Sequence, residues 1–332
     1  KNLVVCIDGT SNQFGAKNTN VIELYRLVKK MPGDNQKTYY NSGIGTYAKP
    51  SWRSWSYRKQ WIDHKIDLAI AWNFERIVLS AYRWLSDNYE EGDQIYLFGF
   101  SRGAYQVRAL SAMIDKVGLI HKGNEEQNPL YVHFSNFATG NALCTAETAP
   151  QRFKKTFSRN VRVHFVGVWD TVSSVGVVRH KVLPGTADGM NHVCIFRHAL
   201  ALDERRVKFL PEYVNQGLSV GEPETSKDKV SEQVPGSSRP EFPGASQPQS
   251  PHTKEVWFVG THSDMAPPLR WMIYEAVAAG LKLDDWTTDI KPPTEVHESL
   301  TGGWQLLEFL PLKQLTYEDK DSTRRRCVHL LD

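Results

Sequence analysis

The sequence predicts an α/β fold, a mostly parallel central sheet with helices on both faces, and three features of its 332 residues lead there. Residues 3–7 (LVVCI), 95–98 (IYLF), 161–169 (VRVHFVGVW) and 255–260 (EVWFVG) are short, nearly unbroken apolar runs. A strand with one solvated face alternates polar and apolar side chains, so these read as strands covered on both faces, as in parallel sheets. Each run then delivers small polar residues: Asp8-Gly9-Thr10, Gly99-Phe100-Ser101, Asp170-Thr171 and Thr261-His262. Loops at the carboxyl ends of parallel strands are where open α/β sheets bind ligands. Between the runs, apolar residues recur at helical spacing.

With 40% hydrophobic and 23% charged residues, the chain can bury one large core, and a single domain over 1–332 is expected. A formal net charge of +3 without a long basic face gives no reason to expect a nucleic-acid partner. No apolar run approaches the roughly 20 residues of a membrane span. Cys6, Cys144, Cys194 and Cys327 lack metal spacing. Cys6 and Cys194 sit in apolar settings and read as buried thiols, which favours a reducing, cytoplasmic compartment. The sequence calls for no metal and no organic cofactor, and it leaves oligomeric state open.

The stretch that organises the rest is 94–117, QIYLFGFSRGAYQVRALSAMIDKV. An apolar strand enters Gly99-Phe100-Ser101-Arg102-Gly103, and Val107, Leu110, Ile114 and Val117 then mark one face of a helix ending at Gly118. A bare G-x-S-x-G arises by chance in about a tenth of chains this long, so the strand and helix around it carry the reading. In the nucleophile elbow the serine sits on a strained turn and the glycines let helix and strand approach closely. Ser101 is thereby the candidate nucleophile.

In chain order, residues 3–7 form the first strand and enter Asp8-Gly9-Thr10-Ser11-Asn12. A haloacid-dehalogenase-type phosphatase would need an aspartate two residues before Asp8; Cys6 stands there and excludes that chemistry. Two readings remain. Either amides near Gly9 and Thr10 form part of an oxyanion hole with Asp8 bordering the substrate, or Asp8 and Asn12 build an Asx-type turn. Residues 21–28 have helical spacing, and 38–41 read as a second strand entering Gly43. Residues 47–61 (YAKPSWRSWSYRKQW) interleave Trp52, Trp55, Tyr57 and Trp61 with four cations. They form either a lid whose Trp52 and Trp55 meet lipid headgroups or a substrate's apolar tail, or a loop packed on the body. Residues 62–89 predict one or two helices covering the sheet.

The strand 161–169 ends in Asp170, placed as a hydrolase triad places its acid, although Asp and Thr also cap helices. His164 reads as a core histidine. Residues 198–209 (HALALDERRVKF) read as a helix whose Asp203, Glu204, Arg205 and Arg206 are a solvated face without chemistry. Residues 217–254, rich in Ser, Pro, Glu and Gln, cannot bury enough surface to offset ordering and read as a flexible surface excursion. The last strand delivers His262 and completes the order Ser101, Asp170, His262. A helix resumes over 270–281, and the apolar residues from 304 to 310 are suited to docking.

Taken in order, DGTSN, GFSRGAY, VGVWDTVSSVG, HALALDERR and WFVGTHSD resemble an α/β-hydrolase family spread through fungi and bacteria, whose bacterial members include type VI secretion phospholipase effectors. The resemblance runs from Leu3 to about Leu312 and implies an α/β-hydrolase-like fold. It also implies Ser101 as nucleophile, Asp170 as acid and His262 as base, with Asp8 to Thr10 bordering the site. The wording of the motifs is closer to the fungal branch. One departure stands out: the family continues past H-S-D with a glycine-rich loop, whereas Met265 here runs directly into Ala266-Pro267-Pro268.

The expected reaction is acyl transfer to water. His262 takes the proton of Ser101 as it attacks an ester carbonyl, Asp170 holds the imidazole, and the amide of Arg102 with one near Gly9 or Thr10 stabilises the oxyanion. The partner is an ester substrate, with a lipid or long-chain acyl ester favoured by resemblance. Two alternatives stay open: an inactive hydrolase-shaped binding module, and metal-assisted hydrolysis by Asp8, Asp170, His262 and Asp264, which needs those groups to converge.

Overall fold

Along the first strand, β1 (Asn2–Ile7), Leu3, Val5 and Ile7 enter one hydrophobic core while Val4 and Cys6 enter a second. The two-residue repeat of a strand therefore sets an unbroken apolar run between two cores, and both faces of the sheet need helices. The computed structural model describes residues 1–9, 18–43, 59–124, 149–172, 190–204, 211–214, 252–262, 264 and 266–285.

After β1 come α1 (Asn20–Leu27), β2 (Gln36–Asn41), α2 (Lys59–Asn88), β3 (Gln94–Phe100), α3 (Arg102–Val117) and β4 (Leu119–Ile120). Then follow α4 (Ala149–Phe157), β5 (Ser158–Arg159), β6 (Val163–Trp169), β7 (Val193–Ala201), β8 (His252–Phe258) and α5 (Ala266–Ala278). The main sheet has the order β2-β1-β3-β6-β7-β8 with every neighbour parallel, and β4 and β5 form a separate short antiparallel pair. Phe74, Val78 and Leu85 of α2 and Leu110 and Ile114 of α3 fill one core. Val21 and Leu24 of α1 and Met272 and Ile273 of α5 fill the other. The expected α/β-hydrolase-like architecture, a parallel sheet with helices on both faces, is the one present.

Local chemistry sets the ends of the elements. The Thr19 hydroxyl accepts the Ile22 amide at 3.2 Å and caps α1. Gly118 closes α3 at φ 74°, and its amide reaches Ile114 O at 2.9 Å. Pro267 and Pro268 lie in the first turn of α5, where a missing N–H leaves no helical bond unmade. That turn follows His262 by only a few residues, so the direct run from Met265 into Ala266 brings the helix start close to the histidine.

Three expectations need correction. Residues 198–201 are not helix but the end of β7, a central strand between β6 and β8. Its Arg197 and His198 are buried at 3% and 0% exposure, and these polar side chains inside the sheet interrupt the apolar run and imitate the polar face of a helix. β8 begins at His252, so the last residues of the 217–254 stretch are strand; 217–251 lies outside the described residues. Cys194 is only half-buried, whereas Cys6 is buried fully and its thiol pKa is pushed up by that burial. Of residues 47–61, 59–61 open α2 and 47–58, with Trp52 and Trp55, lie outside the described residues.

Candidate active site

β2 and β3 flank β1 on opposite sides, so the strand order reverses at β1. The crevice beyond the carboxyl ends of β1 and β3 is then the topological switch point of the sheet. Gly9 follows β1 there, and Ser101 follows β3.

Ser101 stands between β3 and α3 at φ 55° and ψ −120°. A non-glycine residue in such a region carries about 1–3 kcal/mol of strain, which its surroundings must hold in place. Ser101 N donates to Trp169 O at 3.0 Å, and Ser101 O accepts from Val172 N at 3.2 Å. The serine is thus tied to both sides of Asp170. The glycines around it are needed for close approach. A Cβ on Gly99 would lie 2.5 Å from Gly103 O, and one on Gly103 would lie 2.3 Å from Ile7 O and 2.4 Å from Asp8 O. Helix α3 therefore rests its first turn directly on the backbone of β3 and β1.

Asp170 follows β6, itself at φ 43°. Its amide donates to Ala199 O at 2.8 Å, and its Oδ1 accepts from Ala201 N at 3.3 Å. Its Oδ2 is hydrogen-bonded to His262 Nδ1, with both side chains buried. That bond engages Nδ1, so any proton exchange at this ring falls to Nε2. The His262 ring packs on Phe100, centroids 4.6 Å apart, one residue before Ser101. The structure thus brings Asp170 and His262 into direct contact and sets them around the Ser101 turn. A small pocket beside the pair is lined by Trp169, Asp170, Ala201, Val259, His262 and Pro268, among others.

Asp8 is fully buried. Its Oδ1 accepts the Gly9 amide at 2.7 Å, and its Oδ2 accepts the hydroxyls of Thr19 at 2.8 Å and Tyr40 at 3.2 Å. It knits the end of β1 to the cap of α1 and to β2. Burial, then the neighbouring Asp8, raise the Tyr40 pKa. The Arg102 amide is the first of α3, and the first amides of a helix have no acceptor inside it. Its guanidinium is partly withdrawn from water, which lowers its pKa. Thr10 lies outside the described residues. Among the described residues no three His, Cys, Asp or Glu side chains converge as a metal site. Asp264 instead binds the amide of Thr261 at 2.6 Å and its hydroxyl at 3.1 Å.

Four functional neighbours escaped the sequence. Asp203 Oδ2 accepts Gly260 N at 2.7 Å and Glu204 Oε2 accepts His262 N at 3.2 Å, so the acidic residues expected to be solvated hold the loop that carries the histidine. His198 and Glu255 form a second histidine–carboxylate pair, His198 Nδ1 to Glu255 Oε1 at 2.8 Å. The available signal was position: Asp203 and Glu204 follow the carboxyl end of β7, on the side of the sheet where open α/β folds bind ligands, while His198 and Glu255 lie within β7 and β8.

His164 Nε2 lies 3.0 Å from Ala279 O and its ring meets Tyr96 edge-on, as a core histidine would.

A parallel sheet with helices on both faces and its candidate side chains clustered beyond the carboxyl ends defines an α/β-hydrolase-like protein. Residues 1–275 match the family described as "T6SS, Phospholipase effector Tle1-like, catalytic domain", and the chain belongs to that family. Phospholipases are hydrolases of the lipase and esterase type. The chain is 38% identical over 221 residues to the uncharacterized protein YEL023C of Saccharomyces cerevisiae, a match covering 63% of this chain. It spans only 32% of the length of that relative. A crystal structure of an uncharacterized protein from Pseudomonas aeruginosa aligns over 85% of this chain and 46% of that one, at 15% identity and a TM-score of 0.40.

Proposed function

We propose that the protein is a serine hydrolase of carboxylic esters whose substrate is a lipid or long-chain acyl ester. The observation that carries the reading is the buried bond between His262 Nδ1 and Asp170 Oδ2, set around the strained Ser101 turn. Ser101 Oγ attacks the ester carbonyl while His262 Nε2 takes its proton, and Asp170 stabilises the imidazolium. The leaving alcohol recovers that proton, and an acyl group remains on Ser101. Water, deprotonated by His262, then releases the acid and restores the serine. The Arg102 amide supplies one oxyanion donor. The second comes from the Gly9–Thr10 loop; because Gly9 N is engaged by Asp8 here, that amide must turn, or the Thr10 amide serves. In this reading 1–332 is one catalytic domain, with 47–58 as a lid and 217–251 as a surface excursion.

Two observations favour a lipid ester. The family is described as a phospholipase one. Leu202 and Val259, at the carboxyl ends of β7 and β8, are 58% and 63% exposed, and Val259 lines the pocket beside His262. An inactive binding module has no use for a buried histidine–carboxylate pair beside a strained serine. Reaction with a fluorophosphonate probe tests the assignment. Labelling is expected in the wild type, with chelator or without it, and not in Ser101→Ala; labelling that survives in that variant, with the fold intact, would overturn the nucleophile.

A further inference from the structure

The second histidine–carboxylate pair lies one residue behind the first. His198 is fully buried in β7, and its Nε2 accepts the Thr171 amide at 3.2 Å. An amide N–H only donates, so Nε2 carries no proton; the ring proton is then on Nδ1 and is given to Glu255 Oε1 at 2.8 Å. Burial lowers the His198 pKa more than Glu255 raises it, in keeping with a neutral ring. Burial alone would push the Glu255 carboxyl up, but the His198 and Val214 bonds and nearby Arg108 outweigh it and keep the group ionised.

The main chain that His198 grips is the one that aims the Asp170 carboxylate. Asp170 sits at φ 43°, and each peptide around it is held by a different element. Its own amide goes to Ala199 O at 2.8 Å, the Thr171 carbonyl accepts Glu212 N at 2.8 Å, and the Val172 amide goes to Ser101 O. Arg108 Nη1 fixes Glu212 O at 2.7 Å, and Glu255 Oε1 also accepts Val214 N at 3.1 Å. Of the three consecutive amides of Asp170, Thr171 and Val172, that of Thr171 goes to a side chain while the other two go to main-chain carbonyls, and its acceptor atom exists in one tautomer and one charge state. A merely packed histidine would need partners, but not this tautomer at this peptide.

We propose that His198, oriented by Glu255, is a positioning residue that sets the Asp170 carboxylate against His262 through the Thr171 amide. The inference rests on the reading of Asp170 and His262 as the catalytic pair.

The test compares His198→Leu, which removes both ring contacts, with His198→Gln, whose side-chain oxygen can still accept the Thr171 amide. The Leu variant should lower the fluorophosphonate labelling rate and kcat by about 10- to 100-fold with KM little changed, as loss of an outer partner does. The Gln variant should recover most of that loss. In an Asp170→Asn background His198→Leu should add little, because both act on one interaction. Val166→Ala, a core change of comparable thermal cost, should label at the wild-type rate. A full multiplicative loss in the Asp170→Asn background, or a wild-type rate in His198→Leu, overturns the proposal.

A second readout does not need activity. The downfield proton resonance of the His262–Asp170 bond, assigned by its absence in Asp170→Asn, should broaden or vanish in His198→Leu and persist in His198→Gln. A resonance unchanged in His198→Leu overturns the proposal, whether or not the protein labels. Absence of labelling in the wild type counts instead against the hydrolase reading. If His198→Leu does not fold, Glu255→Ala carries the same measurements, its side chain being 24% exposed on a strand at the end of the described sheet.

Discussion

Two histidines in this protein differ by what their ring nitrogens touch. His262 Nδ1 is bonded to the Asp170 carboxylate, which in the proposed reaction assigns the proton exchange to Nε2, whereas His198 gives Nδ1 to a carboxylate and spends Nε2 on a backbone amide. Asp170→Asn should therefore leave the fold and still cost about 10⁴-fold in kcat, because an amide in place of the carboxylate permits the wrong tautomer. Ester turnover with circular dichroism as the folding control checks it. His198 makes a separate prediction about pH. Its folded pKa lies below the ordinary value of about 6.5, so the unfolded chain binds a proton that the folded chain refuses. Its contribution to stability is present above about pH 6.5 and is lost as the pH falls from there toward the folded pKa. The groups facing it are Glu255 from β8, Arg108 from α3 and Asp170 after β6. Thermal melts from pH 7.5 to 5 should show the melting temperature dropping with acid, and His198→Gln should flatten that slope.

At the scale of elements, the decisive contact is the first turn of α3 on β1 and β3. Gly103 has no room for a methyl group, since a Cβ would sit 2.3 Å from Ile7 O, a backbone atom with nowhere to move. Gly103→Ala should cost about 3 kcal/mol or more, beyond ordinary overpacking, and should lower labelling of Ser101 by shifting the turn. Denaturant unfolding and the labelling rate measure the two effects, and a variant as stable and as reactive as wild type would refute the packing argument. This element was legible in the sequence because both glycines, the apolar strand and the helical repeat agree. β7 was not. A strand between two others, covered on both faces, normally reads as an apolar run. Here Arg197 and His198 are buried inside it because Glu275 and Glu255 receive them, at 2.5 Å and 2.8 Å, and partners from other elements are invisible along the chain. The same holds for Asp203 and Glu204, whose acceptors meet amides some 57 residues away.

Across the whole molecule, the parallel pairing of β1, β3, β6, β7 and β8 sets their carboxyl ends along one edge, and this is why residues as distant as Ser101, Asp170 and His262 were readable as a set: each follows an apolar run. What the sequence could not supply is the surface around that edge. Leu202 and Val259 stand exposed at the ends of β7 and β8, linked through Leu202 N to Phe258 O at 2.9 Å, so the same backbone that frames the His262 loop displays two apolar side chains. Burying two such side chains in lipid is worth about 3 kcal/mol, a factor of about 100 in partitioning. Activity on a long-chain ester should accordingly rise when the ester is presented in vesicles. The double variant Leu202→Asp/Val259→Asp should lose most of that rise while its hydrolysis of a dissolved short-chain ester stays at the wild-type level. Trp52→Ala/Trp55→Ala should reduce the vesicle response in the same way if 47–58 is a lid. Equal rates on vesicles and on dissolved ester, with none of the four substitutions separating them, would assign the enzyme to small soluble esters and leave the catalytic assignment standing.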